Sequence, residues 1–192
     1  MRTSDVDILI VPGWSSSGPD HWQSRGERNL PTARRVEQDD WLNPDKDRWV
    51  GRLIDEVARS ARPPVLVAHS LGCVTVVHAA AKLPKGLVLG AFLVAPADIE
   101  RSGEWPVTQG ETFDAAKGGF LPLPLAPLPF PATVVASSND PYCRHERAQA
   151  LAAAWGAALV DAGEAGHINV SSGHGPWPEG VLRFGGFLKR LG

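Results

Sequence analysis

The sequence is short of cysteine, lacks any concentration of positive charge, and has no apolar run near the length of a membrane span. Two cysteines in 192 residues, Cys73 and Cys143, make no disulfide framework, and their spacing suggests no metal site. A reducing compartment, the cytoplasm, is the expected location. Lys and Arg number 19 against 21 Asp and Glu, a formal net charge of −2. Without a basic stripe, neither nucleic acid nor an anionic membrane is an expected partner. The opening MRTSDVDILIVPG has charges ahead of a short apolar run ending in Pro-Gly. It reads as a first strand and not as a secretion signal with an A-x-A site. Neither a repeat nor a linker interrupts the chain, so residues 1–192 are read as one domain with a sizeable core.

Branched apolar runs set the organisation. Val6–Val11, Ala33–Glu37, Val65–Ala68, Gly86–Ala95, Ala132–Ala136 and Ala157–Val160 read as strands. Between them lie helical stretches: Asp20–Leu30, a segment opening at Asn43-Pro44, Cys73–Ala81, Tyr142–Trp155 and finally Pro178–Leu191. The second has Asn43 as cap, Pro44 at the first helical position, and acids in its first turn. Its Trp49, Val50, Leu53, Ile54 and Val57 share one face. Residues 99–119 show no strong periodicity. The proline-rich apolar stretch 121–131 excludes helix and central strand, and reads as a rigid loop. The alternation predicts an α/β fold: a three-layer, doubly wound, mainly parallel sheet of about six strands. Ligands of such sheets bind beyond the C-terminal strand ends. The loops there carry Gly13-Trp14, Ser70, Asp98, Asp140 and His167.

Ser70 stands between a buried strand and a small-residue helix, in PVLVAHSLGCV (64–74). That is the setting of a nucleophile elbow, whose strained turn needs small neighbours two before and two after. Here these are Ala68, where the familiar pattern has Gly, and Gly72. The same hydroxyl has a plain alternative as a helix N-cap. A nucleophilic serine needs a base, and the base needs an acid to orient it. Ser70, Asp140 and His167 follow the chain order serine, acid, histidine, each after a predicted strand. His167 is nearer its strand end than His174. Asp140-Pro141 also suits the start of the next helix, and Asp98, after the preceding strand, is the rival acid. An oxyanion would take backbone N–H groups from Leu71 and from the loop after the first strand, with Trp14 the expected donor.

Taken together, VPGWSSSGPDHWQ (11–23), QDDWLNPDKDRWV (38–50), VAHSLGC (67–73), PLPFPATVVASSNDPYC (127–143) and GHINVSSGHGPWPEG (166–180) resemble a known family. It is the small serine hydrolases related to retinoblastoma-binding protein 9 and the bacterial YdeN proteins. The resemblance implies a reduced α/β-hydrolase fold without the usual first strands or a large cap. It also implies a Ser-Asp-His triad at Ser70, Asp140 and His167, with esterase-like or other acyl-hydrolase activity. The sequence has no Leu-x-Cys-x-Glu segment, so a retinoblastoma-binding role is not transferred. The expected activity is hydrolysis of a small ester, or an amide, needing no cofactor or metal, in a fairly open pocket. The alternative is a protein-binding member that kept the fold without catalysis.

Overall fold

Apolar strands pair side by side in the computed structural model, which describes residues 1–192. They are β1 (Asp7–Val11), β2 (Ala33–Arg35), β3 (Pro64–His69) and β4 (Gly90–Val94), then a separate hairpin of β5 (Val107–Thr108) and β6 (Glu111–Thr112), then β7 (Ala132–Ala136) and β8 (Ala158–Asp161). Five helices connect or close them: α1 (Trp22–Asn29), α2 (Lys46–Ala58), α3 (Leu71–Ala80), α4 (His145–Ala154) and α5 (Pro178–Arg190). The main sheet runs β2-β1-β3-β4-β7-β8, and every pair is parallel. Ile10, Val67, Phe92 and Thr133 lie in one row across it.

Period-two alternation divides the core between two faces. Leu9, Val11, Leu66, Ala68, Leu93 and Val134 face α2, α3 and α4. On the opposite face, Ile8, Ile10, Val65, Val67, Phe92 and Val135 pack with Trp22 of α1 and Phe187 of α5. Covered on both sides, β1, β3, β4 and β7 are buried along their whole length, which is why they read as apolar runs. The chain leaves β1 toward β2 in one direction and later proceeds from β3 in the other. The crevice at that reversal, above the C-terminal ends of β1 and β3, is where an open parallel sheet accepts ligands.

Several element starts differ from the sequence reading. Helix α2 begins at Lys46, two residues late, because the Asp40 carboxylate takes the N–H groups of Leu42 and Asn43 and folds them into a turn. Asp45 caps instead, accepting the Arg48 N–H at 2.9 Å. Strand β4 starts at Gly90, after a turn in which Gly86 has a φ of 80°. Helix α4 starts at His145, with Arg144 as its cap residue, so Asp140 does not cap it. Within 99–119, Gln109 and Gly110 both have positive φ, the requirement of a tight two-residue hairpin turn.

Asp7, at the start of β1, ties the sheet to the segment before β3. Its carboxylate accepts the N–H groups of Ala61 and Arg62 and the guanidinium groups of Arg62 and Arg34. Burial pushes its pKa upward, but the Arg62 and Ala61 N–H groups and the two guanidiniums outweigh this and hold it below the ordinary 3.8. A lowered carboxylate stabilises the fold above the unfolded-state value, and that contribution fades as pH falls through the folded value. Asp7→Asn should therefore cost about 2 kcal/mol at pH 7, seen in thermal melts as a drop of about 5 °C. The difference between variant and wild type should shrink below about pH 4, in the ordinary aspartate range.

Candidate active site

Ser70 occupies the turn from β3 into α3 with φ 55° and ψ −123°, a conformation that L-residues rarely adopt. Its position is that of the α3 cap, yet the hydroxyl makes no capping bond. The turn is tight on both sides. A Cβ on Gly13 would lie 2.8 Å from the Ser70 Cβ, and one on Gly72 would lie 2.2 Å from the Val11 carbonyl oxygen. Ala68 is fully buried in the sheet, so the turn accepts a methyl group where the familiar motif has glycine.

The Ser70 hydroxyl donates to Nε2 of His167 at 2.8 Å. The other ring nitrogen, Nδ1, donates to Asp140, whose two carboxylate oxygens lie 3.0 and 2.9 Å away. Asp140 Oδ1 also accepts the Tyr142 N–H at 2.9 Å. The structure thus brings Ser70, His167 and Asp140 into one hydrogen-bonded chain. The Asp140 side chain is 2% exposed and that of His167 is 8% exposed, so the pair is largely shielded from water. Asp98 stands apart: its carboxylate accepts from Arg147 Nε at 3.2 Å and makes no bond to His167.

The loop carrying His167 is fixed by its backbone. Its carbonyl accepts from Nε2 of His69 at 2.8 Å, and that of Ile168 accepts from the Trp22 indole at 2.9 Å. Asn139 Oδ1 holds the Gly166 N–H, and Ser137 Oγ holds that of Ala165. Ile168 is fully buried at a φ of 47°, unfavourable for a branched residue, so packing sustains that strain.

Around Ser70 opens a cleft of about 300 Å³. Trp14 and Leu71 line it, and the backbone N–H of neither finds an acceptor within the protein. The Trp14 indole is turned aside and donates to the Leu42 carbonyl at 2.8 Å. Trp105, Pro106 and Thr108 from the hairpin region also line the cleft. Trp105 stacks on Tyr142 with ring centroids 5.5 Å apart, and Tyr142 presses edge-on against His167 at 4.6 Å.

The sequence reading missed His21 and the structural work of His69. The rings of His21, His69 and His167 form a row with centroid spacings of 4.9 and 4.8 Å. Burial, reinforced by His167, pushes the pKa of His69 well below the ordinary histidine value. His21 is lowered to about 4, first by burial and then by His167 and Arg35. Both rings are neutral near pH 7. Burial raises both thiols, Cys143 to about 12 with Asp140 and Asp98 adding, so neither is a thiolate nucleophile. No group of three His, Cys, Asp or Glu side chains is placed to hold a metal ion. None of the helices is long and apolar enough to cross a membrane.

A parallel sheet with helices on both faces, and a serine in a strained turn at its reversal point, defines the class as α/β-hydrolase. The chain belongs to the serine hydrolase family, whose model matches residues 8–185, and within it to the small YdeN type. It is similar to a YdeN-like hydrolase from Pectobacterium atrosepticum, with 34% identity over 98% of this chain and 94% of that one, at a TM-score of 0.83. It is also similar to the ydeN product of Bacillus subtilis, with 21% identity over 96% and 99% of the two chains and a TM-score of 0.69. An α/β superfamily hydrolase from Oenococcus oeni shares the fold at 17% identity, 97% and 92% coverage and a TM-score of 0.68. No match is found among curated proteins.

Proposed function

We propose that this protein hydrolyses esters of small substrates through an acyl-enzyme on Ser70, with amides as the slower substrates. The observation that carries this reading is the unbroken hydrogen-bond chain from Ser70 through His167 to Asp140. Ser70 Oγ attacks the acyl carbon while His167 Nε2 takes its proton. The developing oxyanion lies against the N–H groups of Leu71 and Trp14, which have no other acceptor. His167 returns the proton to the leaving oxygen, and that bond breaks. Water then enters, gives its proton to Nε2 and attacks the acyl carbon; the bond from that carbon to Ser70 Oγ breaks, Oγ takes the proton back from His167, and the acid leaves. Asp140 keeps the His167 proton on Nδ1, so that Nε2 stays free to accept, and stabilises the imidazolium once formed.

The experiment is covalent labelling by a fluorophosphonate probe. Wild-type protein should be labelled on Ser70, and Ser70→Ala should carry no label. A folded wild type that takes up no label would remove the enzymatic reading and leave that of a binding protein built on the hydrolase fold.

A further inference from the structure

His21 faces the cleft, and the hydrolytic steps leave it without a role. Only 5% of the residue is exposed, and its ring is fixed on several sides. As the cap of α1, Nδ1 accepts the Gln23 N–H at 3.2 Å. One flank packs against Trp22 at 5.3 Å and another against His69 at 4.9 Å. A ring nitrogen that accepts a hydrogen bond carries no proton, so the neutral ring bears its hydrogen on Nε2. That N–H meets no acceptor in the protein, yet it is not among the sealed, unpaired polar atoms. It therefore keeps some exposure, on a residue that lines the cleft.

Asn169 borders the same cleft with a similar bias. Its Oδ1 accepts from the Ser172 N–H at 3.1 Å and from the Ser171 hydroxyl at 2.7 Å. Those two bonds orient the amide and leave Nδ2, which has no partner, as a donor. His21 Nε2 and Asn169 Nδ2 are thus unpartnered donors on residues that line the cleft, in addition to the two backbone N–H groups assigned to the oxyanion. No lysine or arginine lines it. A carboxylate bound there would lose water without meeting a compensating charge, whereas an uncharged oxygen loses far less.

We infer that His21 Nε2–H and Asn169 Nδ2 form a donor subsite for a second, uncharged carbonyl oxygen of the substrate. The inference rests on the ester-hydrolase reading and narrows it to esters that carry a keto or similar carbonyl group beyond the scissile bond. His21 and Asn169 are specificity residues that select this group through contacts its methylene counterpart cannot make.

The test measures binding to Ser70→Ala protein, where no ester is consumed. Two matched pairs serve as probes: ethyl levulinate against ethyl pentanoate, and acetoxyacetone against propyl acetate. One pair places the second carbonyl in the acyl group, the other in the leaving group. In at least one pair the keto ester should bind about fivefold tighter, the scale of a neutral hydrogen bond. Adding His21→Asn, which keeps a capping acceptor but shortens the reach, should bring that ratio close to one. Asn169→Asp, which retains the acceptor and removes the donor, should lower it too. Equal affinities within both pairs, or a preference untouched by both substitutions, would overturn the inference. Fluorophosphonate labelling of the wild type reports separately on Ser70, so failure of the subsite and failure of the hydrolase reading give different results.

Discussion

Asp140→Asn should reduce turnover of a short-chain ester by about 10⁴-fold, the scale on which a triad acid acts, while Asp98→Asn should change it by less than about tenfold. Both carboxylates follow parallel strands, and the contrast between them comes from their partners. Asp140 presents both oxygens to the Nδ1–H of His167 and has a 2% exposed side chain. An asparagine there can turn its amide N–H₂ toward Nδ1. The ring would then carry its hydrogen on Nε2 and could not accept the Ser70 proton. Folding should be nearly intact, because the amide oxygen can still take the Tyr142 N–H that Asp140 now holds. Asp98 is bound to Arg147 and touches no member of the chain from Ser70 to Asp140. Steady-state rates of both variants on one ester decide the assignment. A larger loss in Asp98→Asn would reverse it.

Gly72→Ala should be among the most damaging methyl additions in the molecule. Its Cβ would lie 2.2 Å from the Val11 carbonyl oxygen and 2.6 Å from that of Pro12. These are backbone atoms at the end of a central strand, with no rotamer to yield. The start of α3 would have to move off β1, opening the Ser70 turn that Gly13 closes from the other side. Such overpacking should cost about 3 kcal/mol or more, which for a chain of this size lowers the melting temperature by about 10 °C. Gly51 is the natural control. It lies within α2, and a Cβ there meets nothing within 4 Å. Gly51→Ala should raise stability by about 0.5–1 kcal/mol. Equal melting temperatures for Gly72→Ala and wild type would mean that the close approach of helix and strand is not a constraint.

What the sequence could convey follows from how local each signal is. Strand β7 is a buried, branched run bounded by Pro131 and polar residues, and its observed bounds are those read from the residues alone. The order of Ser70, Asp140 and His167 was legible because each follows a stretch that reads as a strand. The start of α2 was not. Asn43 and Asp45 are both good caps, and the choice between them is made by the Asp40 carboxylate, which captures the Leu42 and Asn43 N–H groups. The hairpin at 107–112 escaped because strands of two residues have no period to detect. The work of His69 as the donor that holds the His167 carbonyl was not legible, since that contact joins residues 98 positions apart. His21 was equally hidden. Its place in the cleft depends on the α1 cap and the Trp22 contact, both settled by tertiary packing.

The hairpin has one more consequence. It hangs within the connection from β4 to β7, between Trp105 and Phe113, and no residue of its two strands takes part in the main sheet. Ser70, Asp140 and His167 are set by strand ends and by the loops beyond them. Part of the cleft wall is therefore supplied by a stretch of chain separate from those that set Ser70, Asp140 and His167. Residues 106–112 can be exchanged, lengthened or reshaped without altering a register of the main sheet, so that part of the wall can vary while the strand ends beneath it stay in place.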